Sequence, residues 1–210
     1  QRQLLERGYA ALHSAGSSKA SLLGAVVGVS VGQRASEFGS VPAVTPASAL
    51  SVYAATGFAC SVTCGRVSFV LGVRGPCAPY DTACSASLVA LHGSVRALQR
   101  VECERALSAG VNMILDPAAI LGNAIAGFTS VRGRSHTFDA RADGYARGEA
   151  IDAFACERGG GDAAAQVLGC AIRQDGQSAS LTAPNGQAQQ GLLGAALADG
   201  GVAAGRMATL

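Results

Sequence analysis

An α/β fold is predicted for this 210-residue chain by three features of its pattern. Apolar runs of strand length occur at Ala25 to Val31 and Ala106 to Leu115. Between them, Leu88, Leu91, Val95, Leu98 and Val101 recur at spacings of three and four, the period of a helix with one apolar stripe. Strand-like and helix-like stretches alternate along the chain, separated by segments rich in glycine, serine and proline, as in folds that place helices on a sheet.

Taken in order, Leu4 to His13 reads as the tail of a helix and Ala25 to Val31 as a buried strand. Residues 32–52 are rich in Ser, Pro and Ala without periodicity and are expected to form a long loop, of a length that is usually functional or disordered. Thr56 to Arg66 can form a helix. The apolar run Val67 to Val73 then reads as strand-like, and Gly75 to Tyr80 stays extended because Pro76 and Pro79 disfavour helix at and before their own positions. A helix follows Cys84 and runs to about Cys103. The strand from Ala106 to Leu115 is closed by Asp116 and Pro117. Phe128 to Glu149 is polar and punctuated by glycine, so it is expected to lie over the surface or line a cleft. Ile151 to Cys156 and Gln166 to Arg173 are short strand candidates joined by a hairpin-like Glu157 to Asp162. That glycine run lacks the lysine of a phosphate loop, so nucleotide binding is not read from it. Ala188 to Leu197 closes the chain as a helix, and the last residues from Met207 read as a strand.

Composition excludes several function classes. Hydrophobic residues make up 49% and charged residues 14%, with 28 glycines and no tryptophan, so the chain has little charged surface and is expected to bury apolar faces against something else. The net charge is +2 with no basic stripe, which argues against nucleic acid, and no polybasic run argues for anionic lipid. No apolar segment reaches the roughly 18 residues of a membrane span. The first residues, Gln1-Arg2-Gln3-Leu4, contain neither a methionine nor an apolar signal core, so no targeting segment is read and the chain looks like an excised piece.

Seven cysteines, at 60, 64, 77, 84, 103, 156 and 170, match no zinc-ribbon spacing. Cys60 and Cys64 stand four apart on the expected helix with no second pair to complete a metal site. Free thiols in a reducing compartment, the cytoplasm or an organelle such as a plastid, are the better reading.

Cys84 is the residue with chemistry to explain. A cysteine between two apolar elements is more often core than nucleophile. Here, however, it stands where an extended segment turns into a helix, flanked by the small residues Ala83, Ser85, Ala86 and Ser87, which suit a tight and accessible turn like a hydrolase elbow. At such a junction the helix's unpaired amides and positive dipole end favour thiolate over thiol.

Blocks along the chain carry a resemblance. Tyr53-Ala54-Ala55-Thr56-Gly57, Gly65-Arg66-Val67-Ser68-Phe69-Val70-Leu71-Gly72, Gly75-Pro76-Cys77, Asp81-Thr82-Ala83-Cys84-Ser85-Ala86-Ser87-Leu88, Gly110-Val111-Asn112, Thr137-Phe138-Asp139-Ala140, Asp143-Gly144-Tyr145, Arg147-Gly148-Glu149 and Leu181-Thr182-Ala183-Pro184-Asn185-Gly186 stand in this order. Together they resemble the β-ketoacyl synthase family, in particular the ketosynthase domains of polyketide synthases. Departures are modest: Ala86 stands where the family usually has serine, Ser135 and His136 where it often has cysteine and arginine, and Val131 where it has proline.

The resemblance implies that Cys84 is the acyl-accepting cysteine. It implies a thiolase-like layered fold, helix, sheet, helix, sheet, helix, of which about 1–157 would be the N-terminal half and about 163–210 the start of the second. No cofactor is implied on the chain itself; substrates arrive on the phosphopantetheine arm of an acyl carrier protein. Homodimers are implied, with the strand before Cys84 near the two-fold axis, as are neighbouring synthase domains such as an acyltransferase. The reaction implied is decarboxylative condensation of the Cys84-bound acyl chain with a malonyl-type extender. The same motifs would serve a fatty-acid ketosynthase or a non-elongating, acyl-binding domain. The family also uses two histidines, one in a His-Gly-Thr-Gly-Thr stretch, and neither setting occurs in these residues. His13, His92 and His136 do not match them, and Asp139 and Arg147 are expected to pair across the polar loop.

Overall fold

Three parallel strands and one antiparallel strand form the sheet of the computed structural model, which describes residues 1–34, 37, 52–159 and 161–207. The elements in chain order are α1 (Arg2–Ser14), α2 (Lys19–Leu22), β1 (Val27–Gln33), α3 (Ala54–Phe58), α4 (Cys60–Leu71), β2 (Cys77–Tyr80), α5 (Ala86–Gln99), β3 (Arg105–Asn112), α6 (Pro117–Ile125), β4 (Ala150–Glu157) and α7 (Gly186–Asp199). The chain divides into two compact units, Gln1–Glu157 and Arg158–Leu210.

In the first unit the strand order is β2-β1-β3-β4, with β1 parallel to both neighbours and β4 antiparallel to β3. Parallel neighbours need crossover connections. α3 and α4 connect β1 to β2, and α5 returns the chain to β3.

The two faces of the sheet differ in side-chain size, and that difference sets the layers. Val27, Val29 and Val31 of β1, with Leu107 and Ala109 of β3, share one core with Leu4 and Leu12 of α1 and Cys64, Val67 and Leu71 of α4. Alternation along a strand puts Gly28, Ser30 and Gly32, and likewise Ala106, Ser108 and Gly110, on the opposite face. That face of small residues lies under α5, where Ala97, Leu98, Cys103 and Ala106 form a second cluster. Helix, sheet and helix layers result. The mixed α/β architecture agrees with the fold class expected from the sequence.

α1 buries Leu4, Gly8 and Leu12, each four residues from the next, and Gly8 keeps the helix close to the sheet because a β-carbon there would stand 2.9 Å from Leu107 Cδ2. α4 extends further than its sequence suggested. Val67 to Leu71 is its second half rather than a strand, because Cys64, Val67 and Leu71 continue one buried face at helical spacing. Gly72, at φ 71°, ends it in the left-handed conformation that glycine adopts without steric penalty. The strand before Cys84 is therefore only Cys77–Tyr80.

Three further expectations are corrected. The buried face of α5 is Ala86, Ala90, Ser94, Ala97 and Leu98, while Leu88 at 71% and Val101 at 64% are exposed. The apolar period identified a helix, but the glycine and serine face beneath it selects the small residues. Second, β3 ends at Asn112, before Asp116 and Pro117, and that pair opens α6 instead: Asp116 caps it by accepting from the Ala118 N–H at 2.9 Å, with Pro117 at the first helical position. Third, Gln166 to Arg173 forms no strand among the described residues, so the Glu157 to Asp162 connection is not a hairpin. In that second unit the Cys170 N–H donates to an Asp199 carboxylate oxygen at 2.9 Å, and Asn185 caps α7. The strand expected from Met207 onward falls almost wholly outside the described residues, and residues 204–206 before it form a short 3₁₀ turn. Residues 208–210 and most of the long loop after β1 lie outside the described residues.

Candidate active site

The segment from β2 to α5 is built around Cys84. After Tyr80 the chain leaves the sheet, turns through Asp81 and Thr82, and enters a single 3₁₀ turn at Ala83–Ser85 that runs directly into α5. Ala83 has φ 55°, a left-handed conformation that costs a residue with a β-carbon about 1–2 kcal/mol. Local hydrogen bonds hold it there. The Asp81 carboxylate accepts from the Ala83 N–H at 3.2 Å, and the Ser85 hydroxyl donates to the Thr82 carbonyl at 2.9 Å. Because that bond uses the one Ser85 proton, the 2.8 Å contact between the two hydroxyls has Thr82 as donor.

Cys84 follows the strained residue and is exposed. Its neighbours explain how a thiol reaches the surface where a helix starts. Gly32, at the carboxyl end of β1, lies so close to α5 that a β-carbon there would run into the backbone of Ala86 and Ser87. A β-carbon on Gly110 would strike the Ser87 side chain, and one on Gly93 would strike the Tyr80 hydroxyl. These glycines seat the first turns of α5 on the carboxyl ends of the parallel strands, the end of open α/β sheets where ligands bind.

Cys77 is exposed as well, and the remaining cysteines are less so. Cys64 and Cys103 are buried, and Cys156 is half-buried. Burial, reinforced by Cys77 beside it, pushes the Cys64 thiol up to about 11, and burial raises Cys103 and Cys156 as well. A raised value leaves less thiolate at neutral pH, and thiolate is the form that reacts. Brief exposure to iodoacetamide at about neutral pH should therefore alkylate Cys84 before Cys64, Cys103 or Cys156, read by mass spectrometry of the peptides. Equal rates at Cys84 and Cys103 would contradict the placement described.

None of the histidines is brought to Cys84. His92 lies eight residues further along α5, about 12 Å down the axis. His13 ends α1 beside the Tyr9 ring, on the face of the sheet away from α5, and His136 sits in the polar loop at φ 47°.

A second constellation lies at the carboxyl end of β3, where the block Arg147-Gly148-Glu149 meets Glu37, a residue that no motif singles out. The Glu37 carboxylate accepts from the Leu115 and Asp116 N–H groups at 3.0 and 3.1 Å and pairs with the Arg147 guanidinium at 3.4 Å. Arg147 also donates to the Ala119 carbonyl, and Glu149 accepts from the Ile114 N–H at 2.7 Å. The expected pairing of Asp139 with Arg147 is thus not formed. Asp139 is engaged by Arg141 at 2.6 Å, two residues away and closer at hand. Asp143 accepts from the Ser130 hydroxyl and pairs with Arg132, within the polar loop.

Burial alone would raise Glu37, but the two N–H donors and Arg147 outweigh it and hold its carboxyl below the ordinary 4.5. A lowered value in the folded state stabilises the fold fully above the unfolded value, and that contribution is lost as the pH falls through the folded one. Glu37→Gln should cost about 1–3 kcal/mol at pH 7 and flatten the loss of stability below pH 4.5, checked by urea unfolding across pH. An unchanged acid limb would show that the clamp carries no stability.

An exposed cysteine at a strained turn, with a helix starting behind it at the carboxyl end of a parallel sheet, defines an α/β protein with a cysteine-bearing elbow. Comparison with known proteins narrows this class. The profile described as beta-ketoacyl synthase, N-terminal domain, matches residues 1–159. A phenolphthiocerol/phthiocerol polyketide synthase of Mycobacterium tuberculosis is 40% identical over 209 residues, covering 97% of this chain and 14% of that protein. The pikromycin polyketide synthase component PikAII of Streptomyces venezuelae is 41% identical over 205 residues, covering 95% of this chain and 6% of that protein. Among solved structures, the oxazolomycin ketosynthase domain from Streptomyces albus superposes with a TM-score of 0.84 at 32% identity, covering 95% of this chain and 36% of that one. The ketosynthase from module 6 of the bacillaene synthase of Bacillus subtilis 168 gives 0.82 at 31%, covering 96% and 35%. The chain belongs to the β-ketoacyl synthase family. It spans a small part of its curated relatives and about a third of the solved ketosynthases.

Proposed function

We propose that this chain is part of a polyketide ketosynthase and that Cys84 is its acyl acceptor. The observation that carries the reading is the exposed Cys84 thiol between the strained Ala83 and the first turn of α5. Relatives that are polyketide synthases favour that product class over fatty acids.

The Cys84 sulfur attacks the thioester carbonyl of an acyl chain held on the phosphopantetheine arm of an acyl carrier protein. The carbon–sulfur bond to the arm breaks and the arm leaves as a free thiol. The backbone N–H of Cys84 serves as one donor to the oxyanion. A malonyl-type extender on a second carrier protein then loses carbon dioxide, and its enolate attacks the Cys84-bound carbonyl, forming the carbon–carbon bond as the carbon–sulfur bond to Cys84 breaks and the cysteine leaves as thiolate. In the family two histidines assist that second step. The three histidines of this sequence do not stand in those settings, so the 210-residue chain supports acylation and not condensation.

Several parts of the assembly follow the same reading. β2 is an edge strand of this sheet, so its outer side is the place for pairing with a second copy in a homodimer. Residues 1–157 correspond to the N-terminal thiolase-like half and about 163–210 to the start of the second. Neighbouring domains include an acyltransferase, and the compartment is the cytoplasm. No helix among the described residues is long and apolar enough to cross a membrane.

The test is transfer from an acyl carrier protein, followed by addition of malonyl carrier protein. The expected result is a stable acyl adduct on the chain without ketoacyl product. Ketoacyl product from these 210 residues alone would overturn the division of labour, and absence of any acyl transfer would overturn the role of Cys84.

A further inference from the structure

We propose that Asp81 is a positioning residue for acyl transfer, one that holds Ala83 in the left-handed conformation and so sets Cys84 at the start of α5. This role rests on the reading of Cys84 as the acyl acceptor and adds a residue that acts through the backbone. The Asp81 carboxylate accepts from the Ala83 N–H at 3.2 Å. On the other side of the same α-carbon, the Ala83 carbonyl accepts from the Ala86 N–H, where α5 begins. Both peptide groups of Ala83 are tied, and the bond between them is pinned at φ 55°.

Covalent geometry carries the consequence to the thiol. Rotation about the N–Cα bond of Ala83 swings everything after it relative to β2, the Cys84 amide and side chain included. An alanine without a tie prefers the right-handed region by a factor of about 5 to 30. The second brace of the turn does not replace the first. The Thr82 and Ser85 hydroxyls bond each other and the Ser85 hydroxyl reaches the Thr82 carbonyl, but neither bond uses the Ala83 N–H.

Two substitutions separate this hold from any other role of a carboxylate. Asparagine keeps a side-chain oxygen that accepts a hydrogen bond and loses the charge. Glycine enters the left-handed region without steric penalty, so Ala83→Gly removes the need for a tie. Asp81 therefore matters only while residue 83 carries a β-carbon.

The test follows loading of Cys84 from a butyryl N-acetylcysteamine thioester over a range of concentrations. It compares the original chain with Asp81→Ala, Asp81→Asn, Ala83→Gly and the double variant Asp81→Ala with Ala83→Gly. Asp81→Ala should lower the maximal rate about 5- to 30-fold and leave the half-saturating concentration unchanged. Asp81→Asn should load close to the original rate, and the double variant should recover it. The amide to α-proton NMR coupling at residue 83 follows φ and needs no acyl donor. It should change in Asp81→Ala and hold in Asp81→Asn. An unchanged coupling in Asp81→Ala, a loss that Ala83→Gly does not recover, or Asp81→Asn as slow as Asp81→Ala would each overturn the proposal. An original chain that takes up no acyl group, while the coupling shifts as expected, would overturn the acyl-acceptor reading and leave the hold on Ala83 standing.

Discussion

Cys84→Ala is expected to abolish acyl transfer to the chain, a loss of roughly 10³-fold or more, because no other side chain at the turn offers a comparable nucleophile. The fold should be unchanged. Cys84 is exposed, and surface substitutions away from caps and buried networks usually shift stability by no more than about 0.5 kcal/mol. The measurement is the rate of acyl loading beside the urea midpoint of each protein. Cys84→Ser adds a second reading, since a hydroxyl keeps the shape of the turn but is a much poorer nucleophile at neutral pH. Loading by the alanine variant at the original rate would move the acyl acceptor elsewhere.

Gly32→Val is expected to have the next largest effect, on structure first and on chemistry through it. A β-carbon at position 32 would enter the backbone carbonyl of Ala86 and the amide of Ser87, atoms that cannot rotate away as a side chain could. Overpacking of a well-filled contact costs about 1–3 kcal/mol and more where backbone must move. Here the backbone that must move is the start of α5, so acyl loading at Cys84 should fall along with stability. Gly65→Ala is the control: the position is in the middle of α4, a β-carbon there meets nothing within 4 Å, and alanine should stabilise by roughly 0.5–1 kcal/mol. A Gly32→Val protein with original stability and loading rate would show that the close seat of α5 does not matter.

How much of the molecule is legible in its sequence depends on the kind of signal. The turn that carries Cys84 is legible because its information is local: prolines before it, small residues around it and a helical period after it. β1 and β3 lie within two or three residues of their expected ends because buried strands are continuous apolar runs. The second half of α4 misleads for the same reason, since Val67 to Val73 is also a continuous apolar run, and only the phase shared with Cys64 separates helix from strand.

α6 has a readable start in Asp116 and Pro117, an N-cap followed by proline at the first helical position, although the same pair also reads as the end of β3. The buried face of α5 is not legible from α5 alone. It is chosen by Gly28, Ser30 and Gly32 on a strand more than fifty residues earlier. The Glu37 to Arg147 pair spans 110 residues and joins a loop without periodicity to a polar segment, so no local pattern points to it.

Peptide mapping after incubation with an acyl thioester tests the central claim most directly. All seven cysteines are scored in one mass spectrum, and the amount of acyl group on each is followed with time. The predicted result is acylation of Cys84 well ahead of Cys60, Cys103 and Cys170. Acylation spread evenly over these cysteines, or concentrated on one other than Cys84, would contradict it.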